Sequence, residues 1–232
     1  MIIALNNKSN LEKAEFNVYL RELSEINTNH KLILCPTFLN ISLYKESNIL
    51  LGAQNVSKTI NGAYTGEISA SQLKSYDVKY CIIGHSERRR YQKETNEEIG
   101  IKAKQLLDND IIPILCIGET LEERDNNQTE QIIKKQLQEA LSNLTEEEKN
   151  KLIIAYEPVW SIGTGIIPTN EEIITVIGYI KEILNSNKIL YGGSANEENI
   201  STLKQIETID GYLLGGLSLK IDKLKVFLEK CN

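Results

Sequence analysis

An α/β fold, a single (β/α)8 barrel, is what the sequence predicts, and three observations predict it. Eight short apolar runs recur along the chain, most of them continuous rather than alternating. Amphipathic stretches with helical spacing separate them. Polar and glycine residues follow the carboxyl ends of several runs.

The runs are Ile2 to Leu5, Leu32 to Cys35, Ile49 to Ala53, Tyr80 to Ile83, Ile111 to Ile117, Leu152 to Tyr156, Lys188 to Tyr191 and Gly211 to Leu214. A continuous apolar run of this length fits a strand buried on both faces, the habit of parallel sheets. Between them, Ile133, Leu137, Ala140, Leu141 and Leu144 fall at helical spacing. Ile173, Ile177, Ile180 and Leu184 do the same, as do Ile221, Leu224 and Leu228. Capping boxes predict helix starts at Thr95 with Glu98, Thr145 with Glu148, Thr169 with Glu172 and Ser194 with Glu197. Strand and helix alternate throughout, which implies a parallel sheet, closed or doubly wound. Eight units in 232 residues favour closure, at the small end of the usual size. No linker or composition shift marks a second domain, so residues 1–232 are expected to form one.

Composition narrows the function classes. Hydrophobic residues make up 41% and charged residues 25%, an ordinary globular balance. The formal charge of −6 argues against nucleic acid or an anionic membrane as partner. No apolar run approaches the roughly 18 residues a membrane-spanning helix needs. Arg88, Arg89 and Arg90 form the one tight basic run, and with Glu87 and Glu94 beside it a solvated or salt-bridged face is expected. Cys35, Cys81, Cys116 and Cys231 show no C-x-x-C spacing, and the opening residues lack the basic region of a leader. Reduced thiols in a cytoplasmic protein are the expectation.

In barrels of this kind the site forms from loops at the carboxyl ends of the strands. Run one leads into Asn6-Asn7-Lys8, and run four into Gly84-His85-Ser86-Glu87. Run six leads into Glu157-Pro158 and onward to Gly165, run seven into Gly192-Gly193-Ser194, and run eight into Gly215-Gly216. Each residue alone has a bland reading: a surface lysine, a structural histidine, a loop carboxylate, tight turns. Their convergence on one rim is the signal. There is no dinucleotide fingerprint, because position 168 is Pro168, and no P-loop, nucleophile elbow or metal-ligand spacing. No cofactor and no metal are expected. A binding protein on the same fold, or a barrel enzyme for another phosphorylated substrate, stays open at this level.

Longer strings carry a family resemblance. Tyr156 to Gly165 (YEPVWSIGTG) resembles the signature of the triosephosphate isomerase family with one Ser variation. Ile82 to Arg89 (IIGHSERR) is similar to its second hallmark. CIGET at Cys116, GAYTGE at Gly62, YGGS at Tyr191 and LLGGLSLK at Leu213 resemble it too. The likeness implies a TIM barrel that interconverts dihydroxyacetone phosphate and D-glyceraldehyde 3-phosphate without a cofactor. It implies Glu157 as base, His85 as electrophile, and Lys8 with Asn6 in the substrate site. Backbone amides of Gly163, Ser194, Gly215 and Gly216 would hold the phosphate. Ser86, Glu87 and Cys116 would support the site, and Ile162 and Leu213 would clamp the base. Pro158, Val159, Trp160, Ser161, Ile162, Gly163, Thr164 and Gly165 would form a mobile lid. Asn55 to Gly66 resembles a long third loop that reaches into a second subunit, so a homodimer is implied. The chain departs from the family at Asn7 and Ser9, where Trp and Met are usual, and at the Ile166-Ile167-Pro168 hinge.

Overall fold

The computed structural model describes residues 1–232 except Glu46 and Gly165. Eight parallel strands close in sequence order: β1 (Ile2–Asn6), β2 (Lys31–Cys35), β3 (Leu50–Ala53), β4 (Tyr80–Ile83), β5 (Ile112–Ile117), β6 (Ile153–Tyr156), β7 (Lys188–Tyr191) and β8 (Gly211–Leu214). Closure is set by β1, whose Ile3 lies in register with Leu32 of β2 on one side and Tyr212 of β8 on the other. The doubly wound alternative is thereby excluded.

Continuous apolar runs follow from two buried faces. Ala4, Ile33, Ile82, Ile114, Cys116, Ala155, Leu190 and Leu213 point inward and fill the barrel. Their neighbours Ile3, Leu5, Leu34, Ile83, Leu115, Ile154, Ile189 and Leu214 point outward against the helices. Side chains alternate along a strand. Asn6 therefore shares the inward phase of Ala4, and Glu157 shares that of Ala155, one step beyond the strand. The sequence period alone aims both at the mouth.

The outer layer comprises α1 (Lys13–Ser24), α2 (Phe38–Ile41), α3 (Ala70–Ser75), α4 (Ser86–Tyr91), α5 (Asn96–Leu107), α6 (Leu121–Asp125), α7 (Thr129–Ala140), α8 (Glu146–Lys149), α9 (Asn170–Ile183), α10 (Ile200–Leu203) and α11 (Ile221–Cys231). The apolar stripes expected for α7, α9 and α11 are the buried faces of those helices. Capping boxes start α5 at Thr95, α8 at Thr145 and α9 at Thr169. The fourth expected box is overturned. Ser194 gives its hydroxyl to the Ser161 carbonyl, and Asn196 instead accepts the amides of Glu198 and Asn199 in a turn before α10. Further boxes occur at Ser69 with Gln72 and Thr120 with Glu123.

The arginine run divides. Arg88 pairs with Glu94 at 2.5 Å, as expected of a salt-bridged face, and Arg90 is exposed. Arg89 turns inward, against the solvated reading. Its guanidinium donates to the Gly84 carbonyl at 2.7 Å and the Cys116 carbonyl at 3.0 Å, tying the ends of β4 and β5 together. A planar fork with five donors suits such bridging, and spacing in the sequence cannot reveal it. Among the described residues no helix is long and apolar enough to cross a membrane.

Candidate active site

A cavity of about 350 Å³ opens at the carboxyl ends of the strands. Asn6, Lys8, His85, Glu157, Ile162, Gly163, Ser194, Leu213, Gly215 and Gly216 all line it. Asn6, His85, Glu157 and Leu213 are buried there, while Lys8, Ile162 and Ser194 are half-buried.

Lys8 adopts a left-handed backbone, φ 50°, which costs a residue with a Cβ roughly 1–2 kcal/mol. Its surroundings hold it there. Its amide donates to Asn6 Oδ1 at 3.0 Å, and its carbonyl accepts Gln54 Nε2 at 2.8 Å. Its Nζ meets Glu87 Oε1 at 2.7 Å. Gln54, which also donates to the Cys35 carbonyl, is a site-building residue that sequence reasoning missed. Only its place just past the third run pointed to the rim.

His85 reaches the mouth because Gly84 turns the chain with φ +66°, a conformation that disfavours any side chain. His85 then caps α4: its Nδ1 accepts the Glu87 amide at 3.2 Å. An accepting Nδ1 carries no proton, so the ring proton sits on Nε2. That nitrogen lies 3.1 Å from Glu157 Oε1. The other carboxylate oxygen accepts the Ser86 amide at 3.1 Å. Both oxygens of Glu157 are thus engaged at the start of α4, where amides and helix dipole favour negative charge.

Beneath the carboxylate, Cys116 is fully buried. Burial first, then the charge of Glu157, pushes its thiol well above the ordinary range, so it packs rather than attacks. Cys35 and Cys81 are buried and raised likewise, and all four cysteines are free.

The segment after Glu157 is anchored through Trp160. Its Nε1 donates to Glu119 Oε1 at 2.8 Å, and the Tyr156 hydroxyl donates to the same carboxylate at 3.2 Å. Glu119 is buried, and desolvation raises its carboxyl despite these donors. The Arg124 guanidinium stacks 4.1 Å from the Trp160 ring. Thr120 caps α6, and Glu119 just before it holds the neighbouring loop. Val159, Trp160 and Ser161 form a 3-10 turn. Ile162 and Gly163 continue over the cavity and Thr164 bonds back to the Trp160 carbonyl, while Gly165 lies outside the described residues. Lys220 and Lys223 also line the cavity and were not anticipated; no spacing distinguishes them from surface lysines.

This geometry supplies a carboxylate, an imidazole N–H and an ammonium around one space, which Gly163, Ser194, Gly215 and Gly216 also line. It suits moving a proton beside a carbonyl in a small anionic molecule.

Residues 1–231 match the family described as triosephosphate isomerase. A relative of that name from Mycoplasmopsis pulmonis is 42% identical, covering 89% of this chain and 84% of its own. One from Dictyoglomus thermophilum is 42% identical over 94% of each chain. One from Clostridium botulinum is 41% identical over 98% of each. With a match running the length of the barrel and this identity to several relatives, the chain belongs to the triosephosphate isomerase family.

Proposed function

We propose that the chain interconverts dihydroxyacetone phosphate and D-glyceraldehyde 3-phosphate, a step of glycolysis and gluconeogenesis, with Glu157 as the base. The observation that carries this reading is the 3.1 Å approach of His85 Nε2 to Glu157 Oε1 in the cavity that Lys8 also lines. Glu157 takes a proton from one carbon and returns it to the next. His85 Nε2–H and Lys8 donate to the oxygens of the enediolate that forms between, and Asn6 orients the same end. A general base contributes roughly 10²–10⁴-fold, and one fixed donor roughly 3 kcal/mol, to such a transition state.

The phosphate is the remote handle. Amides of Gly163, Ser194, Gly215 and Gly216 hold it, and its binding energy draws the segment from Pro158 to Gly165 over the cavity. To act, the Glu157 carboxylate must leave its two donors, each worth roughly 1.5–3 kcal/mol as a bond to a charged group. Remote phosphate binding is large enough to drive that exchange. Glu87 fixes Lys8, Ser86 parks the base, Cys116 floors the pocket, and Ile162 with Leu213 forms an apolar clamp that keeps the carboxylate dry.

A coupled assay with glyceraldehyde 3-phosphate tests the assignment. Wild type turns over; Glu157→Gln retains less than about one per cent of kcat. Turnover unaffected by that substitution removes Glu157 as base.

Residues 1–232 act as one domain, and two copies pair through Asn55–Gly66. Support for pairing is local. Ile60 and Tyr64 of that loop are exposed, and a second cavity lined by Lys8, Ser9, Glu87 and Tyr91 adjoins the first. Sedimentation at micromolar concentration should give twice the mass of 26.2 kDa, and a fully active monomer contradicts it. A cytoplasmic location fits four unpaired, buried thiols.

A further inference from the structure

Ser161 lies in the segment that follows Glu157, and it is fully buried. It ends the 3-10 turn that begins the lid. Two bonds join it to Ser194, across the cavity rim. The Ser194 amide donates to Ser161 Oγ at 3.3 Å, and Ser194 Oγ donates to the Ser161 carbonyl. The second bond needs no particular side chain at 161; the first needs a hydroxyl.

We propose that Ser161 is a positioning residue whose hydroxyl occupies the Ser194 amide while the phosphate subsite is empty, and yields it when the dianion arrives. The inference rests on the assignment of the Ser194 amide to phosphate.

An N–H serves one well-aligned acceptor, and 3.3 Å lies at the long end for a neutral pair. A phosphate oxygen forms a shorter, charge-assisted bond roughly twice as strong. The exchange therefore runs toward phosphate, at a cost equal to the bond given up. Ser161 is joined covalently to Ile162 and Gly163, both of which line the cavity. Giving up the amide thus loosens the lid's base at the moment the phosphate is captured. The hydroxyl is an internal competitor: it satisfies the amide in the empty site and weakens anion binding by about the worth of one neutral hydrogen bond.

The test uses the full chain, 15N-labelled, with inorganic phosphate as the probe and the Ser194 amide resonance as the reporter. Ser161→Ala removes the acceptor. Ser161→Cys keeps its size with a much weaker acceptor, so a void is not confused with the lost bond. In wild type, phosphate shifts the Ser194 resonance. In both variants that resonance is displaced before phosphate is added. Both bind phosphate roughly 2- to 10-fold tighter, the equivalent of one neutral hydrogen bond, and KM falls by a larger factor than kcat changes. If phosphate moves Ser194 in wild type, but the variants leave its resonance and the affinity unchanged, the competition is overturned and the phosphate assignment survives. If phosphate binds without moving Ser194 in wild type, the assignment itself falls, and the inference with it.

Discussion

The His85 imidazole and the Glu157 carboxylate meet directly, Nε2 to Oε1 at 3.1 Å, although 72 positions separate them in the chain. The contact fixes more than proximity. The Glu87 amide takes up Nδ1, so His85 has one proton to give, and it faces the reacting space. Nitrogen-detected NMR of the ring should show an unprotonated Nδ1 and a protonated Nε2. His85→Gln should lower kcat by about 10²–10³, the usual cost of one oxyanion donor. A protonated Nδ1, or a loss confined to KM, contradicts this role.

Gly118 is required by the close approach of two strand ends. A Cβ there would sit 1.7 Å from the Glu157 carbonyl oxygen, which cannot move without moving the Glu157 side chain. Gln136 also brackets Gly118, accepting its amide and donating to its carbonyl at 2.9 Å each. Gly118→Ala should destabilise the protein by at least about 1–3 kcal/mol. It should also cut kcat, because a displacement near 1 Å costs roughly 10²-fold. Thermal melts and the coupled assay check both.

Gly178 offers the opposite case. It lies inside α9, and a Cβ there would meet nothing within 4 Å. Gly178→Ala should stabilise by about 0.4–1 kcal/mol by lowering unfolded-state entropy, raising Tm by roughly 1–4 °C. Activity should be unchanged, since among the described residues none of α9 lines the cavity.

Glu148 predicts part of the acid limb of stability. Lys104 first, then the Thr145 amide, lowers its carboxyl from 4.5 to about 2. The fold favours the ionised form, so this contribution is complete above the unfolded value and is lost as pH falls from about 4.5 toward 2. Glu148→Gln should flatten the fall of Tm across that interval.

Much of this was legible in the sequence because barrel strands are buried on both faces. Their continuous apolar runs marked every strand to within a residue or so at each end. The inward phase of Asn6 and Glu157 follows from period two, and the rim from what comes after each run. Side chains acting through backbone were not legible. Arg89, Gln54 and Gln136 bond carbonyls and amides distant in sequence, and such partners leave no spacing. The box expected at Ser194 failed for a related reason: Ser161, far away in the chain, claims its hydroxyl and amide. The role of Glu119 was not legible either, because its Trp160 partner becomes a neighbour only when β5 and β6 pair.

Proton transfer by Glu157 is tested most directly by following dihydroxyacetone phosphate in D2O by NMR. The account predicts that wild type places deuterium on the carbon beside the carbonyl as isomer forms. It predicts that Glu157→Gln does so at less than about one per cent of that rate while inorganic phosphate still binds. Deuterium incorporation by Glu157→Gln at the wild-type rate would contradict it.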